Sequence, residues 1–174
     1  MLLEELLKEK RPIILKGWFR SILESYPADG AKKFENVADR FNNPVGSSIS
    51  QAIEIIYEEL MGNMDMERLD EAMDVIIRIR SVQDFRPSQA IAFPHLLKKI
   101  IHDNLYGEIV EKKLTDNLFE FENRIDRMTM MAFDKYMQCR EQIFDLKLKQ
   151  KEGMFTPVER INRRRKAGGP EKDI

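Results

Sequence analysis

The side chains best equipped for chemistry in this 174-residue chain are two histidines, His95 and His102, and a single cysteine, Cys139. An imidazole can ligate a metal or a haem iron, and a thiolate can ligate a metal or respond to oxidants. The histidines lie seven residues apart. On a helix that spacing puts them on one face but about 10 Å apart along the axis, too far to share a metal ion. One histidine is enough to hold haem from the proximal side. Haem on His95 or His102 is therefore the alternative to the expected absence of any cofactor. Lys98 and Lys99 share the histidine face, whereas Phe93, Leu97, Ile100 and Ile101 make the apolar one, so the plainer reading is a pair of surface or boundary histidines. Cys139 falls on an apolar seam of a long helical segment, where a thiol packs as a small hydrophobe. Arg140 follows it, but adjacent residues on a helix do not face each other, so this cation does not activate the thiol.

Met128, Met130 and Met131 stand close to Phe133. Methionine adapts to irregular partners, so Met128, Met131 and Phe133 form a possible pocket or partner groove, with core filling as the plainer reading. Glu67, Asp70, Glu71 and Asp74 recur at helical spacing and read as a solvated face rather than a metal site. There is no glycine-rich phosphate loop, no Ser/His/Asp arrangement and no Cys/His cluster. No catalytic residue and no metal site are expected, and the chain is not expected to be an enzyme.

The elements that carry these residues read as helices. Hydrophobic residues make up 43% of the chain and charged residues 34%, a mix that supports a real core and argues against disorder through most of the length. Leu2, Leu3, Leu6 and Leu7 mark a short amphipathic helix. Pro12 suits the first turn of a second, whose apolar residues are Ile14, Leu15, Trp18, Ile22 and Leu23 and which ends near Tyr26-Pro27. Phe34, Val37 and Phe41 anchor an irregular stretch. Asn42 to Ser47 signals a turn in which Gly46 can take a positive φ, and Ser47 or Ser48 then caps a helix that runs to about Met61. Asp65 caps the next, with Leu69, Ala72, Met73, Ile76 and Ile79 inward. A break at Asp84 to Pro87 precedes one helix to about Tyr106, kinked by the internal Pro94, with Gly107 as a further hinge.

From Leu114 to Gln150 there is neither Pro nor Gly. An unbroken helix of that length reaches about 55 Å, so it either folds back or projects and pairs with another chain. A loose heptad runs through Leu118, Phe121, Ile125, Met128, Ala132, Cys139 and Leu146, with Lys135 and Gln142 on the same seam. Phe119, Phe133, Tyr136, Ile143 and Phe144 add a second apolar stripe. A helix that is apolar on two sides must bury both, which leads to the expectation of a homodimer through this helix.

Four stretches resemble one known family. They are Trp18 with Tyr26-Pro27; Phe41-Asn42-Asn43-Pro44-Val45-Gly46; the run Arg78-Ile79-Arg80-Ser81-Val82-Gln83-Asp84-Phe85-Arg86-Pro87-Ser88-Gln89-Ala90; and Leu96-Leu97-Lys98. Together, over about residues 10–106, they look like the N-terminal domain of the RsbR/RsbD-type co-antagonist proteins of the bacterial stressosome. The resemblance implies an all-α, globin-like helical bundle, usually without haem, that forms dimers. Its long C-terminal helix passes a signal to a STAS domain or, in relatives, to a kinase. Trp18, Pro44, Gly46, Arg80, Gln83, Asp84, Phe85 and Pro87 are then architectural motif residues.

The expected organisation is one sensory or regulatory domain over residues 1–150, including the long helix from about 113, and a basic tail over 151–174. From Val158 onward six Lys/Arg face three acids, while the whole chain is at −1. That balance gives no general pull toward nucleic acid, and specific nucleic-acid binding is not expected. One cysteine allows no internal disulfide and suits a reducing compartment. No apolar run approaches the ~18 residues that span a bilayer. The expected protein is a cytoplasmic stand-alone sensor or adaptor that dimerises and regulates a partner of STAS, kinase or another type. The alternatives are a haem- or small-ligand-binding sensor and an accessory subunit docking through its tail.

Overall fold

The computed structural model describes residues 2–26, 43–83 and 85–153, together with Glu159. Among the described residues there are seven helices and no strand: α1 (Leu3–Glu9), α2 (Arg11–Glu24), α3 (Pro44–Met61), α4 (Met66–Ser81), α5 (Pro87–Ala90), α6 (Phe93–Glu111) and α7 (Thr115–Gly153). The fold is an all-α bundle with a long C-terminal helix. The chain divides into two compact units, Met1–Met137 and Gln138–Ile174. The stretch around Phe34, Val37 and Phe41, Asp84, and nearly all of the basic tail lie outside the described residues.

In the first unit each helix turns one apolar stripe inward. Leu3, Leu6 and Leu7 of α1 are buried, as are Ile14, Trp18, Ile22 and Leu23 of α2. The stripe of α3 is Ile49, Ala52, Ile53, Ile56, Tyr57 and Leu60, all at 3% exposure or less. Each of its isoleucines and the leucine, taken fully out of water, contributes roughly 1.5–3 kcal/mol. α3 packs most extensively on α4, and α2 packs on α6 and α3. The α2–α6 approach is close because Gly17 lies under Ile100, where an added Cβ would sit 3.3 Å from the isoleucine side chain. Two buried hydrogen bonds fix relative positions: Trp18 Nε1 donates to the Phe93 carbonyl at 2.7 Å, and Tyr57 Oη donates to the Leu7 carbonyl at 2.9 Å.

Several local expectations are corrected. α3 begins at Pro44, and its cap is Asn43, whose side chain accepts from Gly46 N at 2.8 Å, rather than Ser47 or Ser48. Proline in the first turn has no donor to lose there, so the helix starts before the serines. No described glycine has a positive φ, and Gly46 is simply helical. Pro94 does not kink a helix: Pro87 starts the short α5, the chain breaks at Ile91-Ala92, and Pro94 sits in the first turn of α6. Gly107 is not a hinge, because α6 runs through it to Glu111. The real stop is Lys113 at φ 57°. Lys113 N donates to the Val110 carbonyl and Leu114 N to the Ile109 carbonyl, the paired bonds of a left-handed helix terminus. Buried Ile109 and Leu114 supply its apolar contact.

Between α3 and α4, Glu59 is buried and accepts from Asp65 N and Arg68, so the turn is held by a carboxylate. In α4, Ile79 is only half-buried, while Ile77 and Arg80 join the core. α7 is one continuous helix of 39 residues, with no turn of a hairpin in it. Leu118, Phe121, Ile125, Met128, Ala132 and Tyr136 are its buried residues in the first unit. The seam steps from Ala132 to Tyr136 rather than to Lys135, which follows the natural 3.6-residue period instead of a strict heptad. In the second unit Cys139 is buried, and Leu146, expected on the seam, is exposed. No described helix is long and apolar enough to cross a membrane.

Candidate functional site

The motif run Arg78 to Ala90 spans a break between helices, since α4 ends at Ser81 and α5 starts at Pro87. α2 ends nearby in space, at Glu24, with Ser25 and Tyr26 following. These two helix ends meet around Arg80. Its side chain is fully buried, at 0% exposure. The guanidinium carbon lies 4.6 Å from the centroid of the Phe85 ring and 5.3 Å from that of Tyr26. The two rings meet edge to face, with centroids 5.0 Å apart and planes at 88°. Ser25 Oγ donates to the Ile22 carbonyl at 2.6 Å and accepts from Arg80 Nη2.

Arg80 still has unused donors. Its Nε and Nη1 are buried without a hydrogen-bond partner, and so is Oε1 of Gln83. A guanidinium has five N–H donors in one plane, and among the described residues a single polar side chain, Ser25, meets them. No carboxylate of a described residue neutralises the charge. Burial pulls the Arg80 pKa below its ordinary value, opposed by Tyr26, yet arginine remains protonated in proteins. Burial likewise raises the Tyr26 phenol, and the Arg80 charge works against that shift. Isolated buried charge costs several kcal/mol even after relaxation, and a desolvated cation–aromatic contact returns about 2 kcal/mol. The site is thus a buried cation beside two aromatic rings, with Nε and Nη1 unmet.

The sequence-derived site residues fall into three groups. Arg80 and Phe85 meet at this corner, and Gln83 lies between them in the chain; Trp18 instead holds α2 against the start of α6, as described above. Pro44, Gly46 and Pro87 are helix-start residues. Asp84 lies outside the described residues. The histidines are elsewhere. His95 is exposed, opposite the buried Phe93, Leu97 and Ile101. His102 is partly exposed, its Nε2 2.6 Å from Glu122 Oε1 and its ring stacked on Tyr106 at 5.1 Å. A proximal haem ligand needs an apolar interior slot, and neither histidine faces one, so these residues do not fit haem. Met128 is buried, Met131 half-buried and Phe133 largely exposed; the three do not share one face of α7. Among the described residues no group of His, Cys, Asp or Glu is arranged to hold a metal ion.

Sequence reasoning overlooked Ser25 and took Tyr26 as a helix-end marker and part of the family resemblance, not as a site residue. The available signal was the pair of arginines in Arg78-Ile79-Arg80: helical spacing puts Arg80 beside the inward Ile76 and Ile77.

A second set of polar contacts joins α7 to the rest of the first unit. Arg124 Nη1 donates to the carbonyls of Leu60 and Gly62 at 3.0 and 3.2 Å, at the end of α3. Lys135 Nζ lies 2.6 Å from Asp70 and 3.4 Å from Asp74 of α4. Lys98 pairs with Asp126 at 2.6 Å, and His102 meets Glu122, both linking α6. Outward from these, Phe119, Met130, Phe133 and Met137 of α7 are exposed. At 100° per residue they span about 60° of arc, roughly a third of a turn from the buried seam. In the second unit Phe144 and Leu148, one turn apart, are also exposed.

The family model described as the RsbT co-antagonist protein rsbRD N-terminal domain matches residues 12–150. A relative from Archaeoglobus fulgidus, described as an uncharacterized protein, is 28% identical over 154 residues, covering 87% of this chain and 91% of that protein. No solved structure matches.

Proposed function

The chain belongs to the family of RsbT co-antagonist RsbRD N-terminal domains, and from that premise we propose that it is a non-catalytic sensory or adaptor module that dimerises through α7 and regulates a partner protein. The observation that carries this reading is the double character of α7. One face is core, tied by Arg124, Lys135, Asp126 and Glu122 to the helices α3, α4 and α6. Another face displays Phe119, Met130, Phe133 and Met137 to solvent. A displacement of any of those helices moves the ties, and with them the exposed face of α7. A second copy of the chain suits the exposed stripe, because residues at three- and four-residue spacing interdigitate between parallel or antiparallel helices and a two-fold interface uses one patch twice.

The partner is of the STAS or kinase type, in keeping with the co-antagonist family, and works in the cytoplasm. Reciprocal tagged pull-downs from the native cell test this, with mass spectrometry of what co-purifies. Recovery of a STAS-domain or kinase-domain protein, lost with Phe133→Glu, supports the module. Recovery of a metabolic or membrane complex that survives Phe133→Glu and disappears on deleting residues 158–174 overturns it in favour of an accessory subunit docking through the tail.

A further inference from the structure

A module of this kind needs an input, and in the bundle Arg80 is a buried charge whose donors the described residues leave partly unsatisfied. We propose that Arg80, with Ser25 bonded to it, the rings of Tyr26 and Phe85 next to it and Gln83 three residues on in the chain, binds the oxyanion of a small molecule, a carboxylate or a phosphate. This deepens the sensory reading by naming the class of its ligand, and the binding itself does not require the dimer.

The chemistry of the donors sets the class. The rings of Phe85 and Tyr26 lie 4.6 and 5.3 Å from the guanidinium carbon, and Nη2 donates to Ser25 Oγ. Nε and Nη1 have no partner there, and planar in-plane donors match the oxygens of carboxylate or phosphate better than they match a neutral acceptor. Gln83 Oε1, also buried and unpaired, accepts a hydrogen bond, which favours an anion that also carries a hydroxyl. Position adds to this. Arg80 is one residue from the end of α4, and Ser25 and Tyr26 follow the end of α2. An anion at this corner bridges two helix ends, and α4 is the helix whose Asp70 and Asp74 hold Lys135 of α7. Occupancy would therefore be felt on the helix that carries the exposed apolar face.

The test uses the purified full chain in buffer free of carboxylate and phosphate, with acetate, lactate and inorganic phosphate as probes and thermal unfolding as readout. At least one probe is expected to raise the midpoint by about 4 °C or more at saturating concentration. Arg80→Met keeps the length of the side chain and removes the buried charge, so it folds and loses the response. Gln83→Leu is the second variant: it keeps the response to acetate and abolishes the advantage of lactate over acetate. A response confined to phosphate assigns the site to phosphate compounds, and one confined to carboxylates assigns it to organic acids. Absence of any response in the wild type, or an equal response in Arg80→Met, overturns the proposal. Neither result bears on dimerisation, which fails or stands on the mass of the particle in solution.

Discussion

At the scale of single residues the bundle is organised by a few buried polar side chains whose partners are backbone carbonyls. Tyr57 is the clearest: it is 1% exposed, burial raises its phenol pKa, and its hydroxyl donates to the Leu7 carbonyl. Tyr57→Phe leaves that carbonyl without its side-chain partner and should cost about 1–2 kcal/mol, read by urea denaturation; an unchanged midpoint would show that water replaces the hydroxyl at no cost. Arg80 is the exception, buried with donors to spare. It stood in plain view within the motif run, yet reading that run as architecture hid its chemistry. Pattern alone places a charged residue outside, and only packing shows that the ends of α2 and α4 close over it. The histidines behaved oppositely: their lysine-bearing face was legible from spacing, and they lie on the surface of α6 as that face requires.

At the scale of elements, the apolar stripes of α2, α3, α4 and α6 could be read from periodicity, because burial at i, i+3 and i+4 writes itself into the sequence. Boundaries were less legible. Glycine and proline mark breaks only when tertiary packing uses them, and here Gly107 and Pro94 sit harmlessly inside or at the start of α6. The actual stop uses Lys113 in the left-handed region, which costs an L-residue about 1–2 kcal/mol. Lys113→Gly removes that strain but loses about 0.5–1 kcal/mol of unfolded-chain entropy. A net gain of a few tenths to about 1 kcal/mol is expected in thermal or chemical denaturation, and destabilisation would mean that the lysine side chain holds the turn.

The α4–α7 tie makes a pH prediction. Burial alone lowers the Lys135 pKa, but the hydrogen bond to Asp70 and the charges of Asp70 and Asp74 more than offset it, leaving the pKa raised above 10.5. A cation whose folded pKa is raised stabilises fully below its unfolded value and loses that contribution as pH climbs through the folded value. The wild type should therefore lose stability relative to Lys135→Met above about pH 10.5, and the difference between the two should be flat from pH 6 to 9. A difference that varies across the neutral range would assign the tie to another group.

At the scale of the whole molecule, the long helix is what the sequence announced most openly and explained least. The absence of Pro and Gly from Leu114 to Gln150 allowed either a rod or a hairpin, because nothing local separates a turn-free helix from one broken by its context. The structure has a single helix, Thr115–Gly153, and it leaves Phe119, Met130, Phe133 and Met137 in solvent. Large exposed apolar side chains aligned along one face mark an interaction surface, and the account rests on that surface being shared between two copies. The most direct measurement is static light scattering of the purified chain across micromolar concentrations. A particle of twice the 20.5 kDa chain mass, reverting to the single chain mass in Phe133→Glu with its helical circular dichroism intact, is the predicted result. A wild-type particle of 20.5 kDa throughout that range would contradict the account.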